Sequence, residues 1–150
     1  MVRSSYQVAA ETSAAPAQVW SLLINAYSWP RWGTVDALLP EQSEQISPDG
    51  HDGVGAVRAF RTGRVVTREK IVEMYGNERL VYEGADNPFM NDYRAEISLT
   101  GGAGGGTAIS WRGSYDVAFG LHFAFRPMLT RTMRRMVHGL AQAAARSATP

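Results

Sequence analysis

Between Val54 and Val117 the side chains alternate apolar and polar with a period of two, and the alternation breaks only at short clusters of turn-forming residues. Those clusters are Thr62-Gly63, Gly76-Asn77, Asp86-Asn87-Pro88 and the run Gly101-Gly102-Ala103-Gly104-Gly105-Gly106. They separate five expected strands, at 57–61, 65–74, 80–84, 93–99 and 107–115. Connections this short permit an antiparallel meander and exclude the helical crossovers of a parallel sheet. Two further strands are expected, a short one at 6–11 and one at 45–47, the latter bracketed by Pro40 and by Pro48-Asp49-Gly50.

Helical signals flank this block. Pro16 stands at a helix start, where its missing N–H costs nothing, and Val19, Leu22, Leu23 and Ala26 follow on one face. Pro30 is expected to end that helix, and a short second helix or turn carries Trp29 and Trp32. Near the end of the chain, Phe125, Met128, Leu129, Thr132, Met136, Leu140 and Ala143 recur every three or four residues, with Arg131, Arg134, Arg135 and Gln142 on the other side. Pro127 either starts this long helix or kinks one begun near Phe119. The expected architecture is α+β: one antiparallel sheet whose concave face wraps the C-terminal helix, with two short N-terminal helices, in a single domain over residues 1–150.

Composition removes several function classes. With 15 basic and 14 acidic residues there is no general basic excess for nucleic-acid binding. The absence of cysteine excludes disulfides, thiolate metal sites and a cysteine nucleophile. No apolar leader follows Met1 and no stretch approaches the ~20 uninterrupted apolar residues of a membrane span, so the expected location is cytoplasmic, without an integral membrane segment. The glycine run lacks both the Lys-Ser/Thr ending of a phosphate loop and the Gly-x-Gly-x-x-Gly spacing. Ser114 lacks a nucleophile elbow, and no two histidines sit four apart with a carboxylate. Neither a metal site nor a cofactor is expected.

The segments Ala15-Pro16-Ala17-Gln18-Val19-Trp20 and Trp29-Pro30-Arg31-Trp32, followed by Gly55-Ala56-Val57-Arg58, Arg79-Leu80-Val81-Tyr82 and Gly106-Thr107-Ala108-Ile109-Ser110-Trp111, resemble in content and order the START-like (SRPBCC) superfamily. The resemblance is to its bacterial branch of polyketide cyclase/dehydrase and lipid transport proteins, and it extends through the last helix to Ala144. It implies a helix-grip fold, a seven-stranded antiparallel sheet gripping the C-terminal helix, with an apolar cavity between them that binds hydrophobic small molecules. Members range from carriers to aromatase/cyclases.

Strand pairing narrows the cavity-facing set. With Thr62-Gly63 as a two-residue turn, Phe60 lies opposite Val65 and Arg58 opposite Thr67, so Arg58, Phe60, Glu69 and Ile71 share the inner face with Arg58 and Glu69 as diagonal neighbours. Three readings stand: a sealed ion pair that fixes register, an Arg58 that orients a ligand carbonyl, enolate or carboxylate, or a one-residue slip that turns both outward. Around the glycine run, Ile97 is expected near Ile109 and Ala95 near Trp111, so that Tyr93, Ile97, Trp111 and Tyr115 face inward with Leu80 and Tyr82. Arg94, Glu96 and Arg112 then form an exposed charge lattice. Tyr82, Tyr93 and Trp111 bring polar atoms to an apolar wall, which suits either core packing or the orientation of a lipophilic ligand.

Trp32 is expected at the cavity mouth, and Asn87 to Asn91 form either a lid or a solvent loop. Phe125, Met128, Met133 and Met136 offer adaptable surface from the last helix, or plain core. His51 and His138 are expected at the surface, whereas His122 is a candidate acid or base at the entrance.

These residues support a carrier that binds a lipid, sterol-like or polyketide-derived molecule. One alternative is a polyketide aromatase/cyclase or dehydrase acting on a poly-β-keto chain, with Arg58, Tyr93 and His122 as catalytic candidates. The other is a protein-interaction module with a sealed interior and an exposed apolar patch near Phe119 to Phe125. A homodimer is left open.

Overall fold

The structure is a computed structural model that describes residues 1–148. It contains a single sheet in the order β1-β7-β6-β5-β4-β3-β2, with every pairing antiparallel. The strands are β1 (Val2–Thr12), β2 (Ala37–Leu38), β3 (Val57–Thr62), β4 (Val65–Tyr75), β5 (Arg79–Asp86), β6 (Asn91–Gly101) and β7 (Thr107–Val117). Helices α1 (Pro16–Leu23) and α2 (Trp29–Trp32) follow β1, and α3 (Phe119–Ala148) closes the chain. This is the helix-grip arrangement, and the five strands of the alternating block lie where the pattern placed them.

Three local expectations are corrected. The strand at 45–47 does not form: Gln45 adopts φ 57°, and the N–H of Ser47 donates to Asp52 Oδ1 at 2.7 Å instead of to a ladder. The edge is instead β2, which pairs Ala37 with Arg61 and Leu38 with Phe60. Pro30 does not end α1, which stops at Leu23; it sits in the first turn of α2, where proline is equally at home. Both hairpin registers are displaced by two residues. Gly63, at φ 60°, takes the first turn position, so Thr62 faces Val65 and Arg58 lies directly opposite Glu69. Likewise Ile97 faces Trp111, and Ala95 faces Gly113. A slip of two conserves the side-chain face, so each inward assignment survives.

Small residues shape the core. Tyr6, Gly113, Ala95, Tyr82 and Ile71 form one row across β1, β7, β6, β5 and β4. A Cβ on Gly113 would lie 2.6 Å from the Tyr6 ring, so glycine there is what lets that ring lie across the sheet. Helix α3 buries Met133, Met136, Val137, Leu140 and Ala144. At Gly139 its backbone runs so close to α2 that a Cβ would meet the Trp32 carbonyl oxygen at 1.9 Å. Because the obstacle is backbone, Gly139→Ala is expected to cost about 1–3 kcal/mol, read as a lowered urea midpoint. An unchanged midpoint would mean that α3 does not seat this tightly.

Outside, Arg79, Arg94 and Arg112 interleave with Glu73, Glu83 and Glu96 as the expected lattice. The hydrogen bond from Arg112 is the main reason the Glu96 carboxyl lies below its ordinary pKa.

Candidate functional site

The interior between sheet and α3 is aromatic with a buried polar seam. The α1 helix presents the carbonyl of Leu23 at its C-terminal end, the negative pole of the helix. That oxygen accepts from Arg58 Nη1 at 2.7 Å and from Trp29 Nε1 at 3.1 Å. The Arg58 guanidinium lies 4.5 Å over the Trp29 ring and 5.8 Å from Phe60. Trp29 in turn stacks on Phe60 at 5.1 Å, tilts against Trp32 at 4.9 Å and meets Trp111 edge-on at 5.6 Å.

Arg58 is completely buried, yet its Nε and Nη2 have no hydrogen-bond partner among the described residues. Glu69, directly across the β3–β4 ladder, makes no ion pair with it within 4 Å among the described residues, and the sealed Oε2 of Glu69 is also unpartnered. Asp52 is buried nearby with Oδ2 free. Burial raises the Glu69 carboxyl to about 7 against the pull of Arg58, and burial lowers Arg58 against the pull of Glu69 and Asp52. An arrangement built only to fix register would bring these charges into contact; here they remain apart.

From this pole a chain of hydroxyls runs along the sheet. Trp111 Nε1 donates to the Tyr82 hydroxyl at 3.1 Å, Tyr82 and Tyr93 share a hydrogen bond at 3.4 Å, and the Tyr93 hydroxyl bonds that of Tyr6. Gly84, beside Tyr93 Cβ, gives Tyr93 its room. Burial pushes Tyr6, Tyr82 and Tyr93 well above the usual phenol range, so all three keep their protons at neutral pH and can donate to a ligand oxygen. Tyr115 is buried with its hydroxyl unpartnered, and its ring meets Phe125 at 5.7 Å. The Asn87 side chain accepts from the N–H groups of Phe89 and Met90, folding the 87–90 loop so that Phe89 lies 6.4 Å from Phe125.

Of the residues singled out from sequence, Arg58, Phe60, Glu69, Ile71, Tyr82, Tyr93, Ile97 and Trp111 come together here. Trp32, expected at the mouth, is corrected: it is buried in this core against Trp29, and Met136 joins the core from α3. Phe125 is half-buried at its rim. Met128 is corrected: it is 55% exposed, on the outer side of α3. His51 and His138 are exposed, and His122 is half-buried against Phe123 with Nδ1 unpartnered. Sequence reading missed Tyr6 and Asp52. Tyr6 had a signal, the alternation with Val8 and Ala10; Asp52 had none, since only the folding of its loop onto Ile24 buries it.

A sheet gripping a long helix over an aromatic, tyrosine-studded interior defines a helix-grip protein of the START-like class. The chain belongs to the family described as polyketide cyclase / dehydrase and lipid transport, which matches residues 3–145. No curated protein matches it in sequence. Among solved structures it is similar to a protein of Thermobifida fusca, at 22% identity and TM-score 0.75 over 95% of this chain and 93% of that one. It is likewise similar to the di-domain ARO/CYC StfQ from the steffimycin biosynthetic pathway, at 14% identity and TM-score 0.75 over 99% of this chain and 53% of that one. Norcoclaurine synthase of Thalictrum flavum matches at 14% identity and TM-score 0.73 over 99% of this chain and 98% of that one. At these identities the likenesses establish the fold.

Proposed function

We propose that the protein binds a hydrophobic small molecule carrying a few oxygens, lipid, sterol-like or polyketide-derived, between the sheet and α3. The observation that carries this reading is the fully buried Arg58 with two unpartnered nitrogens, cross-strand from a Glu69 whose sealed Oε2 is likewise unpartnered. Unsatisfied charge in an interior is costly, and a ligand carbonyl or hydroxyl would satisfy it. Tyr82 and Tyr93 would donate along the ligand, while Phe60, Trp111, Ile97 and Ile71 supply apolar wall.

The apolar cavity that the resemblance implied is corrected: its place is filled by rings packed on one another, Trp29 on Phe60 and Trp111, and Tyr82 on Tyr93 and Trp111, so admission requires movement. The first turns of α3 are the place for it. Pro127 has no N–H to offer the Phe123 carbonyl, and the residues before it are mostly exposed. Parting Phe125 from Phe89 and Tyr115 would open the end nearest Tyr93. Native mass spectrometry of gently purified protein is expected to show a small molecule retained by the wild type and lost from Arg58→Met. A wild type that is uniformly ligand-free, and that gains no stability from any lipophilic extract, would overturn the reading.

A second reading has its own observation. The bonded tyrosine chain, with a carboxyl near neutrality at the Arg58 pole, is suited to proton transfer on a folded poly-β-keto chain, Arg58 stabilising the enolate. Release of a cyclised or dehydrated product, abolished by Tyr93→Phe, would establish it.

A further inference from the structure

The arginines of α3 are distributed in a way that neither the fold nor the interior site explains. Over its 30 residues α3 carries five arginines and no acid, so of the 15 basic and 14 acidic residues in the chain, ten and all fourteen lie elsewhere. Arg131 stands three residues from Arg134 and four from Arg135, spacings at which like charges repel on a helix. The outer face of the sheet has carboxylates in quantity, yet they engage Arg79, Arg94 and Arg112, and none lies within 4 Å of Arg126, Arg131 or Arg134 among the described residues.

These three arginines line one wall of an open groove of about 870 Å³, where α3 passes the β1 edge. The opposite wall is Ser5, Gln7, Ser114 and the Arg94–Glu96–Arg112 lattice. Arg126 is fastened by its Nε to the Ser5 carbonyl at 3.2 Å, a contact that fixes its position and leaves its two terminal nitrogens without a carboxylate. The helix wall is therefore a set of planar, two-point donors with no carboxylate of its own, and the one acid in the groove, Glu96 across from it, is already engaged by Arg79 and Arg112; such a wall matches phosphate oxygens.

An apolar feature continues the same side of the helix. Steps of three or four residues from Arg134 through Thr130 and Arg126 lead to Phe123 and Phe119, which are 72% and 66% exposed and touch edge-on at 5.9 Å. We infer that this groove is a second binding site, separate from the interior, for an organic phosphate bearing an apolar arm: phosphate on Arg126, Arg131 and Arg134, arm along Phe123 and Phe119.

Calorimetric titration with decyl phosphate, held below its micellar concentration, and with inorganic phosphate tests this on the full chain. Decyl phosphate is expected to bind at least tenfold tighter than inorganic phosphate. Arg131→Gln/Arg134→Gln should weaken decyl phosphate at least tenfold. Phe123→Ser should weaken it several-fold while leaving inorganic phosphate unchanged. Arg135→Gln removes one charge from the same helix outside the groove and should change decyl phosphate binding little, and Arg58→Met should leave it intact whatever becomes of the interior ligand. Equal loss from Arg135→Gln, indifference to the Arg131/Arg134 pair or to Phe123, or binding only to phosphatidic acid vesicles and not to the monomeric amphiphile would each overturn the proposal.

Discussion

Replacing Arg58 by alanine is expected to lower stability by about 3–5 kcal/mol at pH 7.5, measured by urea denaturation. Three losses combine. The side chain is entirely buried, so truncation leaves a cavity beside Trp29 and Phe60. The Leu23 carbonyl loses its charged donor. Glu69 and Asp52 lose the cation that offsets their burial. Arg58→Met separates these, since it refills most of the volume and leaves the electrostatic part. A methionine variant as unstable as the alanine one would place the whole cost in charge; a near-wild-type one would place it in packing.

The second large effect is a pH dependence centred on Glu69. Its carboxyl titrates near 4.5 when free and near 7 when folded, so the native state holds the proton more firmly. The associated stability is fully present below about pH 4.5 and is lost as pH rises through 7, a change of up to about 3 kcal/mol. Glu69→Gln should abolish that slope. It should match wild type at pH 4 and exceed it at pH 8, the reverse of what loss of a favourable ion pair would give. Parallel wild-type and variant stability curves from pH 4 to 8 would show that Glu69 is solvated and the pole is not sealed.

The sheet was readable because alternation is a local signal: it names strands and faces without knowing register. The two-residue displacement at Gly63 illustrates the limit. Glycine at the first turn position and glycine at the second both satisfy the pattern, and they differ in whether Arg58 meets Glu69 squarely or on the diagonal. Face assignments survived since parity did. The absent strand at 45–47 and the burial of Asp52 were beyond reach because both depend on contacts that only the folded loop creates, the Ser47 N–H donating to Asp52 Oδ1 and the Asp52 N–H to the Ile24 carbonyl. Met128 fits the three-and-four spacing yet stands exposed, since the buried stripe runs through Phe125, Leu129, Met133 and Val137 and Met128 falls to one side of it.

The most direct test follows the indole N–H of Trp111 and the amides of Tyr82 and Tyr93 by NMR while 2-naphthol, an apolar probe with a single oxygen, is titrated in. Saturable shifts at these three positions, absent in Arg58→Met, are the predicted result. Shifts confined to 119–134, with Trp111 unmoved at saturation, would contradict an interior that receives ligands.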